Sequence, residues 1–474
     1  MKLQNKTRPF ELGEAEKNVL IDMLQEQILL LKEKNKRLEK RLGALEGRVN
    51  KNSSNSSKPP SSDMNKPKKT TSSKNKSGKK PGGQPGHKGK TLKNSRAPDQ
   101  IVRLSVTNCE ECGNNLKNKK ISMKSRQEFE IPEPKIFITE YQSESRDCSC
   151  GYTTTACFPK HITHASQYGI RAKSLMVYMN QHQFIPYDRA SQFFETVYGQ
   201  KISPATIVNA VNTLGNRLCK LDSQIKKLLS KSDTAHCDET SMKISGTKHW
   251  LHTVGTKKLA HYAMHEKRGS KATQDIGILP EFKGTIIHDH WKSYFQYKNS
   301  KHALCNAHHL RELRFINEQH KMKWAKKMSL LLIKIKEHKD LFVKKSKDKF
   351  TKWLLKKHNS EYNAILVKAH REQARRGTLD SRNLIKRLSN FKQETLLFMN
   401  DFTIPFTNNL SEQDLRMSKV KQKISGCFRN TISADSFCKI RSMLISGRKN
   451  SKNIFKLIQR AFSQNITTKA VLAT

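Results

Sequence analysis

The chain has 474 residues, of which 90 are Lys or Arg against 41 Asp or Glu, giving a formal net charge of +49 with 35% hydrophobic residues. So large a cationic excess calls for a polyanionic partner, nucleic acid by default, and the lack of any apolar run long enough to cross a bilayer excludes a membrane partner. Ten cysteines with no dense framework, and a start, Met1-Lys2-Leu3-Gln4-Asn5-Lys6, that lacks an apolar secretion segment, fit a reducing cytoplasmic setting.

From the N-terminus, Ile21, Ile28, Asn35, Leu42 and Val49 recur every seven residues, and Leu24, Leu31, Leu38 and Leu45 follow three positions later. This a/d seam with one polar Asn predicts a coiled-coil zipper over 15–50 that makes a homo-oligomer. Residues 51–98 carry thirteen Lys or Arg and one acid, so a basic, disordered linker is expected there. Within it Pro81-Gly82-Gly83-Gln84-Pro85-Gly86-His87-Lys88-Gly89-Lys90 joins flexible backbone to cations. Lys88 and Lys90 are its candidate DNA contacts, and a plain tether is the alternative.

Cys109-Glu110-Glu111-Cys112-Gly113 and Cys148-Ser149-Cys150-Gly151 make two cysteine pairs, each followed by Gly. Four thiolates from two such turns form a closed tetrahedral site, so Cys109, Cys112, Cys148 and Cys150 are candidate ligands of a structural Zn²⁺ in a zinc-ribbon-like module over 99–160. The alternation of Ile136-Phe137-Ile138-Thr139-Glu140-Tyr141 predicts its strand. Residues 165–225 read as helices. Gly199 breaks one, and Ser203-Pro204 opens the next with an N-cap and a proline at the first helical position, the outline of a helix-turn-helix DNA-binding region.

The segment 230–450 predicts an α/β core. Strands are expected over 233–243, 248–254, 259–265, 284–289 and 302–306, with a helix near 272–279 and another from His308. A three-strand meander leading through helices to further strands is the ribonuclease-H-like order. On that layout Asp238 lies in the first strand and Asp289 at the end of the fourth, where ligands bind in open α/β sheets. A third acid from a later helix, Glu412 or Asp414, would complete an all-oxygen cage for Mg²⁺ or Mn²⁺, and Glu239 competes with Asp238. Two ions in such a cage support in-line phosphoryl displacement.

Arg416, Lys419, Lys421, Lys423 and Arg429 follow as candidate phosphate contacts. Cys305 and His308 have metal-ligand spacing but stand at a strand-to-helix junction, where packing is the simpler reading; His288 and His290 are also read as packing. Residues 316–400 look like a helical insertion into the core, and 451–474 like a tail. The whole predicts a multidomain α+β protein.

Lys51-Asn52-Ser53-Ser54-Asn55-Ser56-Ser57-Lys58-Pro59-Pro60-Ser61-Ser62-Asp63, the stretch Pro81 to Lys90, His236-Cys237-Asp238-Glu239-Thr240, His288-Asp289-His290-Trp291-Lys292-Ser293-Tyr294, Cys305 to Leu313 and Asn408 to Arg429 resemble, in order, the large transposase of the insertion sequence 66 family. The resemblance implies a DDE transposase with zipper, zinc-binding, helix-turn-helix and ribonuclease-H-like parts. It assigns the acids as Asp238, Asp289 and, from the Asn-Asn-x-x-Glu pattern, Glu412. Its expected partners are double-stranded DNA, as element ends and target, its own copies, and accessory transposition proteins, in a bacterial nucleoid. A catalytically inactive DNA-binding protein of the element and a ribonuclease-H-like nuclease without strand transfer are the alternatives.

Overall fold

The computed structural model describes residues 13–52, 55–56, 86–89, 91–95 and 97–472. Most of the basic linker, Lys90 included, lies outside these. The chain forms two compact units, one of residues 1–67, 162–190 and 203–474 and one of 68–161 and 191–202.

The larger unit begins with α1 (Glu14–Asn50), whose seam residues from Ile21 to Leu45 are exposed on the single chain. Its C-terminal end is tied down. Lys51 pairs with Asp380 at 2.8 Å, Asn50 donates to Gln319 at 2.9 Å, and Asn55 and Ser56 are buried as they bond back to Asn50 and Asn52. The short polar side chains of Asn55 and Ser56 thus satisfy carbonyls at and just past the helix end.

In the smaller unit β1 (Ser145–Asp147) and β2 (Thr153–Thr155) form a hairpin around Cys148 and Cys150. The predicted strand over 136–141 does not form. Phe137 and Ile138 stay exposed there, since alternation supplies no partner for the ladder.

Next come α2 (Ile170–Val177), α3 (Tyr187–Tyr198), α4 (Pro204–Arg217) and α5 (Cys219–Ser230). Ser203 caps α4 as expected, its Oγ accepting the Thr206 amide at 3.2 Å. The central sheet has the order β5-β4-β3-β6-β7, made of β3 (Thr234–Ile244), β4 (Thr247–Gly255), β5 (Ala260–His265), β6 (Thr285–His288) and β7 (Lys301–Leu304). β3, β4 and β5 form an antiparallel meander, while β3, β6 and β7 run parallel. Between β5 and β6 lies α6 (Ser270–Ile276), and α7 (Asn306–His320) leaves β7.

The predicted insertion is α8 (Lys323–Lys344), α9 (Lys352–Arg376), α10 (Leu379–Asn390) and α11 (Lys392–Asn400). Their apolar faces bury Trp324, Met328, Leu332, Tyr362 and Leu384 in a cluster that reaches Ile287 of β6 and Ala303 of β7. Then come α12 (Asn409–Ser425), α13 (Thr431–Lys449), α14 (Ile454–Ser463) and α15 (Thr468–Val471). α13 covers the β5 edge, and Ser442 and Ser446, one turn apart, accept the amides of Tyr262 and Ala260 at 3.0 Å each. Within 451–472, the stretch that reads in sequence as a tail, α14 is a packed helix. Leu457, Ile458, Ala461 and Phe462 bury one face of α14, and Arg217 bonds the Ala461 carbonyl. No helix among the described residues is long and apolar enough to cross a membrane.

Candidate active site

The register of β3 against β6 fixes the first two acids. His236 stands opposite Ile287, and the same parallel register carried two residues further sets Asp238, midway along β3, level with Asp289, which lies just past the C-terminal end of β6. Asp238 Oδ1 accepts the Glu239 amide at 2.8 Å and Asp289 Oδ1 the Trp291 amide at 3.0 Å. Burial, then the charges of Glu239, Asp289 and Glu412, hold the Asp238 carboxyl well above the usual range. Burial and Glu239 raise Asp289 to about 6, against the pull of Arg268 and Arg387. Half-buried acids that repel one another in this way are the environment that a divalent cation relieves.

Glu239, the competitor of Asp238, is committed elsewhere. Its side chain accepts from Arg268 Nε at 2.8 Å and from the Tyr294 hydroxyl at 2.6 Å. Arg268 in turn stacks between Trp291, at 3.9 Å, and Trp250, at 4.8 Å.

α12 brings the third acid. Its N-cap, Asn408, is buried and stitched to the sheet: Oδ1 meets His236 Nδ1 at 2.8 Å, Nδ2 donates to the Cys237 carbonyl at 2.8 Å, and its amide donates to Cys305 Sγ at 3.1 Å. Glu412 follows in the first turn and keeps a half-exposed face. Asp414 faces the body, where it pairs with Lys449 at 2.6 Å and where its carbonyl accepts the Tyr262 hydroxyl at 2.9 Å. Glu412 is the acid of α12 whose charge reaches Asp238. The three do not all converge to ligand distance. Among the described residues the group whose donor atoms lie within 4.8 Å of one another is Cys305, His308 and Glu412.

The candidate phosphate contacts divide. Arg416, Lys423 and Arg429 are exposed. Lys419 donates to the Ser241 carbonyl at 2.9 Å, and Lys421 is buried over the rings of Phe428 and Phe437. Lys421 is therefore packing, a correction to its reading as a phosphate contact; burial lowers its pKa to about 8. Lys88 is exposed. His288 and His290 are packed as expected, His288 fully buried against Tyr294, Phe295 and His302.

Sequence reasoning missed Asn408, Arg268 and Arg387. Arg387 comes from α10 of the insertion, pairs with Glu312 of α7, and carries its charge to Asp289. Only the Asn408-Asn409-x-x-Glu412 spacing could have signalled the first; the arginines become visible in three dimensions alone.

In the smaller unit each cysteine pair makes its turn, with Gly113 and Gly151 at positive φ. The amides of Cys112 and Glu111 lower the Cys109 thiol, and the amide of Cys150 leads the lowering of Cys148. Each turn is thus shaped for thiolates, although the four sulfurs are not drawn together within 4.8 Å.

No curated protein matches the chain. Family models match three stretches: residues 6–93 a family of unknown function, residues 107–151 the zinc-finger binding domain of transposase IS66, and residues 165–436 the Transposase IS66 family. The zinc-finger match spans all four cysteines and implies zinc binding. The third match takes in Asp238, Asp289, Glu412 and more than half of the chain, which belongs to the IS66 transposase family.

Proposed function

We propose that this protein is a DDE transposase whose catalytic acids are Asp238, Asp289 and Glu412, and that it cuts the ends of its insertion element and joins them to target DNA. The observation that supports this most is the parallel register that sets Asp238 level with Asp289, with α12 latched alongside by Asn408. The sheet order, an antiparallel meander followed by two parallel strands, is that of ribonuclease-H-like enzymes.

Each residue has a task in this reading. Asp238, Asp289 and Glu412 offer carboxylate oxygens, which hard cations prefer. When bound, Mg²⁺ or Mn²⁺ supplies an activated attacking oxygen and charge for the leaving one. The Trp291 amide fixes one Asp289 oxygen, Arg268 neutralises Glu239, and Arg387 adds positive charge beside Asp289. Water is the nucleophile in cleavage and a DNA 3′-hydroxyl in joining. Arg416, Lys423 and Arg429 run along the DNA backbone. Cys109, Cys112, Cys148 and Cys150 hold the structural zinc, and the exposed seam of α1 pairs two copies.

The test incubates the purified chain with labelled element ends and Mg²⁺. Asp289→Asn is expected to lower cleavage about 10²- to 10³-fold with DNA binding retained. Equal cleavage by the variant would overturn the assignment, and cleavage without joining would make the protein a nuclease.

A further inference from the structure

Glu412 has neighbours that an all-oxygen cage leaves unused. Cys305 follows β7 and caps the start of α7, and His308 stands in the first turn of that helix. Each brings a donor atom within 4.8 Å of the other and of a Glu412 oxygen.

Packing alone does not account for this corner. Cys305 is buried, yet its sulfur receives the Asn408 amide at 3.1 Å and the amides of His308 and Ala307 are also directed at it. A sulfur at a helix N-terminus that backbone N–H groups face is set up to hold the negative charge of a metal-bound thiolate. The neighbouring His308 Nδ1 is buried with no hydrogen-bond partner, which is costly for a polar atom and ordinary for a ligand awaiting its ion. The donors also differ in kind from those of Asp238 and Asp289. Sulfur, imidazole nitrogen and one carboxylate oxygen suit a borderline cation, and three protein ligands with one open position is the pattern of a reactive zinc site, closed structural sites having four.

We propose that Cys305, His308 and Glu412 bind a zinc ion at a second centre, which shares Glu412 with the Asp238 and Asp289 pair. On binding, the Cys305 proton is released to solvent and the sulfur–metal bond takes its place. The ion fixes the direction of Glu412, leaving its other oxygen to the hard cation. The inference deepens the reading of Glu412 as a catalytic acid, but the binding of zinc does not depend on that reading.

The experiment loads the full-length protein with zinc, dialyses it and counts bound metal. Cys305→Ser and His308→Ala are each expected to retain about one zinc fewer per chain than wild type, which also carries the four-cysteine site. In the unmodified protein, X-ray absorption at the zinc edge is expected to show nitrogen or oxygen beside sulfur, a readout that needs no variant to fold. An unchanged count in both variants, a shell of sulfur alone, or no bound zinc overturns the proposal. Asp289→Asn, which should keep the full zinc count while losing cleavage, separates the two readings: cleavage that survives in it sinks the catalytic assignment and leaves the zinc site standing.

Discussion

At the scale of single residues, α12 shows how spacing decides what charge leaves open. Its buried positions are Ser411, Asp414, Leu415, Ser418 and Lys421, recurring at three and four residues as one helical face must. Asp414 and Lys421 lie on that face and Glu412 lies off it. The same periodicity was present in the sequence, but charge pointed to solvent, and only the rings of Phe428 and Phe437 show why a lysine is tolerated inside. Asp414→Ala should therefore cost about 3–5 kcal/mol in chemical denaturation, as expected when one partner of a buried ion pair is removed. Asn408→Ala strips His236 and Cys237 of their partners; it should lower kcat for cleavage with little change in KM, because Asn408 positions Glu412 without touching DNA. Most of the loss of stability on acidification comes from the histidines, and the raised Asp289 carboxyl, which the folded chain protonates before the unfolded one, opposes it. Burial holds His236, His252 and His358 neutral with pKa values of about 4, below the ordinary 6.5. The unfolded chain takes up their protons first, so their stability is full above 6.5 and is lost as pH falls from there toward 4. A thermal midpoint that holds steady or rises over that range would contradict this.

At the scale of elements, the sheet was legible strand by strand, because short alternating runs bounded by Gly, Ser and Asp have few other solutions. Ser203 and Pro204 announced α4 equally plainly. What surrounds the sheet was less legible. The amphipathic pattern of α14 is too short to distinguish a packed helix from a tail, and nothing in the sequence of α4 announces that it packs on α13. That contact turns on Gly215, where an added Cβ would come within 2.6 Å of the Ser436 Cβ. Gly215→Val should cost about 1–3 kcal/mol by overpacking, measured by denaturant unfolding, whereas exposed Gly43 should accept Ala without loss. The seam of α1 makes its own prediction: Leu31→Lys with Leu38→Lys should convert a dimer to a monomer in analytical ultracentrifugation, and an unchanged mass would remove the zipper.

At the scale of the whole molecule, the motifs of the resemblance from His236 onward fall on the pieces that surround one corner of the sheet. β3, β6, the start of α7 and the start of α12 come from positions far apart in sequence, and the insertion α8 to α11, which sequence pattern alone left without a task, reaches the same corner through Arg387. Such convergence is invisible to periodicity, which reports only a residue's own element. The central claim is that Glu412, and not Asp414, completes a cleavage centre with Asp238 and Asp289. Single-turnover cleavage of a labelled element end by the full chain in Mg²⁺ tests it most directly. Glu412→Gln should lower the rate about 10²- to 10³-fold while gel-shift binding persists, and Asp414→Asn should cleave at close to the wild-type rate at low temperature. Normal cleavage by Glu412→Gln together with loss in folded Asp414→Asn would contradict the account.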